Sequence, residues 1–129
     1  MDFKNKIKKF NLKWIDYEEI KKGRKIVPEI EGVYLFKFYK EIDTISGEKT
    51  DIIYIGQSFN LGHRLIQNYL EGRGGKTTQR IHNNLIKRKY VSKIKVSWHP
   101  TQNRKQLESK LLKDFENIYH QLPCWNRSG

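Results

Sequence analysis

Glu108 most directly suggests chemistry, because it falls within the apolar stripe of a predicted C-terminal helix. At about 100° per residue, a helix over roughly residues 104 to 120 collects its apolar side chains on one face. That stripe consists of Leu107, Leu111, Leu112, Phe115, Ile118 and Tyr119. A carboxylate among such residues is costly unless it is paired, protonated or bound to a cation. Helical spacing leaves open an ion pair, a bend toward solvent, or a divalent metal ligand, since Mg²⁺ often needs only one or two protein carboxylates.

Two tripeptides of glycine with aromatic and branched residues stand on neighbouring predicted strands. They are Gly32-Val33-Tyr34 and Tyr54-Ile55-Gly56. Arg64 follows in the next predicted helix, and Asn126 lies in PCWN near the end of the sequence. Singly, these residues are explained as hairpin core aromatics, a surface cation and a turn residue. Together with Glu108, and in this order, they resemble the GIY-YIG nuclease family over residues 32 to 126.

That resemblance implies a metal-dependent endonuclease that hydrolyses phosphodiester bonds in DNA. Tyr34 would then be the general base, with Tyr54 orienting or polarising the water. Arg64 would stabilise the pentacovalent phosphate, since its planar fork matches phosphate oxygens. Glu108 would hold one Mg²⁺ or Mn²⁺, and Asn126 would brace the site by hydrogen bonding.

Two requirements accompany these implied roles. A phenol has a reference pKa near 10, so a base role for Tyr34 requires its pKa to move toward neutrality under the influence of the cation or Arg64. Gly32 and Gly56 are the structural positions of the two tripeptides, and Gly56 permits the turn into the helix that carries Arg64.

The sequence departs from the family pattern at two positions. Many members have Lys or a similar residue where Gln57 stands, and many have Tyr or His where Asn68 stands. Tyr69 is one position further, about 100° round an α-helix, and is therefore not an obvious replacement. Either Asn68 suffices, or His63, Tyr69 or His82 supplies the function.

The positive charge is concentrated in one block of the chain. Of the formal net charge of +12, residues 57 to 107 contribute +10, from eleven Lys or Arg residues against Glu71 alone. Such a field attracts polyanions, although a lysine-rich surface also serves solubility. Within this block, the candidate DNA-contacting residues are Gln57, His63, Arg73, Lys76, Arg80, Lys87 and Arg88. The glycine-rich segment 72 to 80 suits phosphate contacts, with an ordinary mobile loop as its alternative.

Composition excludes several other classes of protein. Cys124 is the only cysteine, so the chain has neither an internal disulfide nor a thiolate cluster for zinc, and a reducing, cytoplasmic location is expected. The four histidines do not have HExxH spacing. No window approaches a membrane span, and the first residues lack the apolar stretch of a secretory signal. DNA, double-stranded or branched, is the expected partner.

The order of predicted elements is ββααβα. Two strands of a hairpin are predicted, GVYLFKF from Gly32 and DIIYIG at 51 to 56. The insert between them, residues 40 to 50, is expected to protrude. A third strand is predicted for KIKVSWH at 93 to 99. Helices are predicted for 12 to 22, for Leu61 to Leu70, from Thr77 or Thr78 through Ile86, and for 104 to 120. We therefore expect an α/β fold with a small, three-stranded, mainly antiparallel sheet flanked by helices. Residues 1 to 28 form an N-terminal helical extension, and residues 29 to 129 form the nuclease-like domain.

The leading hypothesis is thus a stand-alone restriction-like, phage or mobile-element endonuclease. Cleavage of both strands by one small site would require a homodimer or sequential nicking. A DNA-binding module of the same fold with weak catalysis is the second hypothesis, motivated by Gln57 and Asn68. An RNA-binding protein is the third, but it explains the charge and aromatics without explaining the ordered set of residues.

Overall fold

A computed structural model describes residues 2 to 126 as a four-stranded antiparallel sheet with helices against both faces. The strands are β1 (Ile15–Asp16), β2 (Gly32–Asp43), β3 (Lys49–Ser58) and β4 (Ile94–Pro100), in the spatial order β1-β4-β2-β3. The α-helices are α1 (Phe3–Ile7), α2 (Tyr17–Lys21), α3 (Lys76–His82) and α4 (Arg104–Tyr119). Two π-helices (His63–Asn68 and Asn83–Lys87) and two 3₁₀-helices (Lys8–Phe10 and Tyr90–Lys93) complete the helical elements of residues 2 to 126.

The α/β class and the long C-terminal helix are confirmed, but the predicted three-stranded sheet is wrong by one strand. Residues 12 to 22 are not one helix: Ile15 and Asp16 form β1, which pairs with Val96 and Lys95 of β4, and α2 follows at once. The free edge of β4 offers backbone hydrogen-bonding groups that a local helix would leave unpaired. Pairing with a distant strand thus overrides the weak helical pattern of this segment.

Alternation along β2 divides the core into two clusters. Tyr34 and Phe36 point into one cluster with α2, the first π-helix and α3, while Val33 and Leu35 point into another with α1 and α4. This is the period of two expected of a strand with both faces covered. The β2–β3 pairing shifts after the Phe36–Tyr54 pair. The resulting β-bulge re-aims the strand locally, as bulges near functional sites often do.

The turn between β2 and β3 is fastened to the far end of α4. The backbone N–H of Ser46 donates to the Tyr119 carbonyl at 3.2 Å, and that of Ile45 donates to the Gln121 side chain at 2.8 Å. The hairpin insert is therefore tied to the domain at its tip, although the Ile45 side chain is exposed.

Helix α4 has the face that its spacing predicts. Leu111, Phe115 and Tyr119 are buried, and Phe115 meets Phe3 of α1 edge-on with ring centroids 5.3 Å apart. Within residues 2 to 126, no helix has the length and apolar character needed to cross a bilayer.

One buried hydrogen bond ties the N-terminal segment to the first π-helix. The hydroxyl of Tyr17, which is fully buried, donates to the Leu65 carbonyl at 2.6 Å. The π-helix carries Arg64, so this contact fixes an element from which a predicted catalytic side chain projects.

Tyr17→Phe is expected to lower the free energy of unfolding by about 1–2 kcal/mol, because a buried carbonyl loses its donor. Equilibrium urea denaturation measures the change. Tyr39→Phe is the matched control, since Tyr39 is 61% exposed and its hydroxyl is in water. Equal denaturation midpoints for wild type and Tyr17→Phe would contradict this assignment.

Candidate active site

Three tyrosine hydroxyls meet in the core of the domain. The hydroxyl of Tyr69 lies 2.5 Å from that of Tyr34 and 3.2 Å from that of Tyr54. Tyr34 and Tyr54 come from the β2–β3 hairpin and Tyr69 from the end of the first π-helix. Because buried hydroxyls need partners, each of these phenols is stabilised by another phenol.

The π-helix explains why Tyr69 belongs to this cluster. The N–H of Tyr69 donates to the Arg64 carbonyl at 3.1 Å, a bond across five residues, so one helical turn here contains an additional residue. Tyr69 therefore lies one turn from Arg64, where α-helical spacing would have placed Asn68. The expectation that Tyr69 is about 100° out of place was wrong, because it assumed α-helical geometry.

The other candidates for that position serve the local fold. Asn68 donates from its side chain to the Arg73 carbonyl at 2.5 Å, and His82 pairs through Nδ1 with the Tyr69 carbonyl at 2.8 Å. His63 is exposed, and its backbone N–H donates to the Asn60 side chain, which begins the helical segment. Of the four, Tyr69 alone presents a side-chain hydrogen bond to the tyrosines.

Burial acts against ionisation of these phenols. Desolvation raises the pKa of Tyr34 well above its ordinary value, as does the neighbouring Tyr69, while the Arg64 charge lowers it. The pKa of Tyr54 is likewise raised by burial and by Tyr69. The protein's own groups therefore move the pKa of Tyr34 away from neutrality, opposite to the direction that a base role requires.

Arg64 places a cation against the tyrosine cluster. Burial lowers the pKa of its guanidinium, but interactions with Tyr34 and Tyr69 raise that pKa by more. The net pKa lies above its ordinary value, so the group stays charged. Its Nε atom is buried without a hydrogen-bond partner among residues 2 to 126. A buried donor of this kind costs free energy unless a ligand satisfies it.

Glu108 lies near enough to Arg64 for their charges to interact, although α4 packs on the other face of the sheet. Its carboxyl is half-buried and takes part in no hydrogen bond or ion pair within residues 2 to 126. Burial raises its pKa, and the Arg64 charge partly offsets that rise. Within residues 2 to 126, neither the close ion pair nor full exposure, the two structural alternatives that the sequence left open, describes this side chain.

Asn126 braces the strand that carries Tyr54. Its side chain accepts from the Ile55 N–H at 2.9 Å and donates to the Ile55 carbonyl at 2.7 Å, and the Trp125 N–H donates to the Ile53 carbonyl at 2.8 Å. Because β3 is an edge strand, its outer backbone groups have no partner from another strand of the sheet. The bonds from Trp125 and Asn126 supply partners to the backbone groups of Ile53 and Ile55 instead.

Both motif glycines allow close packing. A Cβ atom on Gly56 would overlap the ring of Tyr34, and one on Gly32 would lie 2.5 Å from the His99 carbonyl. Gly56 therefore sets the position of Tyr34, a role beyond the turn that the sequence suggested for it.

The predicted DNA-contacting residues fall into two groups. Lys76 and Lys87 are exposed, as are Arg73, which pairs with Glu71 at 3.3 Å, and Arg88, which donates to Asn84 at 2.6 Å. Gln57 and Arg80 are half-buried and engaged inside the protein. Gln57 accepts from Arg104 at 2.9 Å, and Arg80 donates to the Trp125 carbonyl at 2.6 Å while its charge lowers the pKa of Tyr54.

The donor set fits Mg²⁺ or Mn²⁺ better than a metal held entirely by protein. Within the described part of the chain, no three His, Cys, Asp or Glu side chains are grouped so as to hold a metal. Mg²⁺ commonly uses one or two carboxylates and completes its shell with phosphate and water oxygens. Glu108 is half-buried, near Arg64 and without an ion-pair partner among residues 2 to 126, which is compatible with that arrangement.

Comparisons of the chain with protein-family models, with curated proteins and with solved structures give no significant match. The geometry of the site therefore carries any functional conclusion.

Sequence reasoning missed Arg104 and Glu31. Arg104 donates to Gln57 and to Glu31, the latter at 2.6 Å, and joins the first turn of α4 to the ends of β2 and β3. A basic residue four positions before Glu108 was the available signal, but nothing in the sequence identified its distant partners.

Gly56→Ala is expected to destabilise the protein by about 1–3 kcal/mol, because the added methyl forces the buried Tyr34 ring to move. Gly75→Ala is the control, since a Cβ there meets no atom within 4 Å. Urea denaturation compares the two variants, and a Gly56→Ala protein as stable as Gly75→Ala would show that Tyr34 is not held in this way.

Glu108→Gln is expected to raise the free energy of unfolding at pH 7. The folded-state pKa of Glu108 lies above its ordinary value of 4.5, so the folded protein disfavours the carboxylate at higher pH. The advantage of the amide should shrink as pH falls through the raised pKa toward 4.5. Thermal or urea denaturation across pH measures it, with Glu116→Gln on the exposed side of α4 as the control. A Glu108→Gln protein less stable at pH 7 would contradict the assignment.

Proposed function

We propose that this protein is a metal-dependent endonuclease that hydrolyses phosphodiester bonds in DNA, with a fold like that of the GIY-YIG nucleases. The observation that carries the proposal is that the charges of Arg64 and Glu108 interact although no ion pair or hydrogen bond joins them within residues 2 to 126, where the Arg64 Nε is also buried without a partner. Two opposite charges lie near each other without forming a close pair. A phosphate bound by Arg64 and a cation bound by Glu108 would satisfy both charges.

Arg64 is the proposed stabiliser of the pentacovalent phosphate. Preorganised donors aimed at developing charge are worth most in a water-poor environment, and the half-buried guanidinium meets that condition. It lies close enough to Tyr34 and Tyr69 for them to raise its pKa. The terminal N–H groups can then donate to two phosphate oxygens.

The tyrosine cluster is the proposed route for the proton of the attacking water. Tyr34 would act as the phenolate, whose oxygen accepts a hydrogen bond from Tyr69 and lies near the Arg64 charge. It takes the proton from water and becomes the neutral phenol, while the hydroxide that remains attacks the phosphorus. Tyr54, hydrogen-bonded to Tyr69, holds Tyr69 in position. Asn126 keeps the backbone at Ile55, between Tyr54 and Gly56, in the position that this arrangement needs.

Glu108 is the proposed ligand of Mg²⁺ or Mn²⁺. When bound, such a cation supplies positive charge at the phosphate and lowers the pKa of nearby acids. The Arg64 charge favours the phenolate of Tyr34, although the effect of burial on the pKa is larger. We therefore expect the site to become competent only with both cation and DNA.

The exposed cations of the block from residue 57 to residue 107 are the proposed contacts to the DNA backbone. They include Arg73, Lys76, Lys87 and Arg88. Such contacts position DNA without reading its sequence. One site of this size cuts one strand at a time, so cleavage of both strands requires two copies or two successive nicks.

The complete burial of Tyr34 favours a second candidate, a DNA-binding module without cleavage. Tyr34 is 0% exposed, and a base must reach the water that it deprotonates. In that case Arg64 and the exposed cations would bind a phosphate that is never hydrolysed.

Plasmid nicking with Mg²⁺ or Mn²⁺ separates the two candidates. Wild type should nick supercoiled plasmid, and Arg64→Ala and Glu108→Gln should each lose about a hundred-fold or more in rate. Glu116→Gln, on the exposed side of the same helix, should cut like wild type. Equal nicking by all four proteins would indicate a contaminant and overturn the proposed site. No nicking with retained gel shifts would favour the binding module.

A further inference from the structure

Phe59 is an exposed aromatic residue on a rigid loop between β3 and the first π-helix. Its side chain is 73% exposed. The flanking residues hold the loop: the Ser58 hydroxyl donates to the Asn60 carbonyl at 2.9 Å and accepts from the Asn60 N–H at 3.0 Å. The Leu61 N–H donates to the Ile30 carbonyl at 2.8 Å. A single exposed aromatic ring is ordinary on a protein surface, so exposure alone does not indicate binding. What distinguishes Phe59 is its fixed position against a cation.

A guanidinium group is fixed against this ring. The Arg104 Cζ lies 5.3 Å from the centroid of Phe59, within cation–π range. Arg104 is itself held by Gln57 at 2.9 Å and by Glu31 at 2.6 Å. The half-buried ion pair with Glu31 offsets the Arg104 charge, so this arginine is better suited to stacking than to holding a phosphate alone.

The pair lies next to the proposed active site. Gln57 directly follows Gly56, whose backbone packs against the Tyr34 ring. Arg104 begins α4 four residues before Glu108, about 6 Å along the helix axis. A nucleotide beside a phosphate bound at Arg64 and Glu108 can therefore reach Phe59.

We propose that Phe59 and Arg104 form a stacking platform for an unpaired nucleobase next to the scissile phosphate, so that the substrate is DNA with a local unpaired base. This inference rests on the proposed function for the placement of the phosphate. Aromatic side chains stack on any base, each contact being worth about ten-fold or more in affinity, whereas bases inside an intact duplex already stack on their neighbours. The platform thus favours bulged, flapped or branched DNA over a perfect duplex.

The test measures DNA binding in EDTA, so that it does not depend on cleavage. The probes are a fully paired duplex and the same duplex with one unpaired 2-aminopurine, whose fluorescence falls on stacking. Phe59→Ala should weaken binding to the unpaired probe by about ten-fold, change the paired duplex by less than about two-fold, and abolish the fluorescence quench. Phe59→Trp should retain all three properties. Tyr39→Ala, which removes an exposed aromatic elsewhere, should leave the preference and the quench unchanged.

Equal losses on both probes, or no loss on either, would overturn the platform. So would a change in self-association on Phe59→Ala, because the ring would then belong to a contact with a second copy. If wild type selects the unpaired probe through Phe59 but cuts no DNA when metal is added, the nuclease proposal fails and the platform stands. If wild type cuts DNA and Phe59→Ala does not change its preference for the unpaired probe, the platform fails and the nuclease proposal stands.

Discussion

The hydrogen bond between the hydroxyls of Tyr34 and Tyr69 is the contact on which the rest of the site depends. Two phenols from opposite sides of the core are buried together and have few other partners, so each must satisfy the other. Two features bring the hydroxyls to 2.5 Å from each other. Gly56 leaves room for the Tyr34 ring, and the π-helix places Tyr69 one helical turn from Arg64. The same cluster then limits where the Arg64 guanidinium can lie.

The electrostatic arrangement around that cluster favours ligand binding over stability. In the described part of the chain, Arg64 has a buried donor without a partner, and Glu108 is half-buried with a raised pKa, although the two charges influence each other. A core evolved for stability alone would pair such groups closely or replace them by apolar residues. Residues held in unfavourable surroundings at one point of a well-packed fold are typical of functional sites.

The parts that sequence predicted and the parts it missed differ in physical origin. The apolar stripe of α4 and the β2–β3 hairpin follow from local periodicity, which is why the position of Glu108 was predictable. The π-helix has no comparable signal, since one extra residue in a turn is decided by whether Tyr69 can reach Tyr34 across the core. Strand β1 likewise exists because β4 has a free edge, and the direction of the Tyr34 pKa follows from burial that no single residue type reveals.

The central claim is that Glu108 and Arg64 together receive a cation and a phosphate. Paramagnetic broadening of amide resonances by Mn²⁺, recorded on the protein bound to a short DNA duplex, tests it most directly. We predict that broadening centres on Glu108 and on residues near Arg64, and that it disappears in Glu108→Gln. Broadening that centres elsewhere, or that persists unchanged in Glu108→Gln, would contradict the claim.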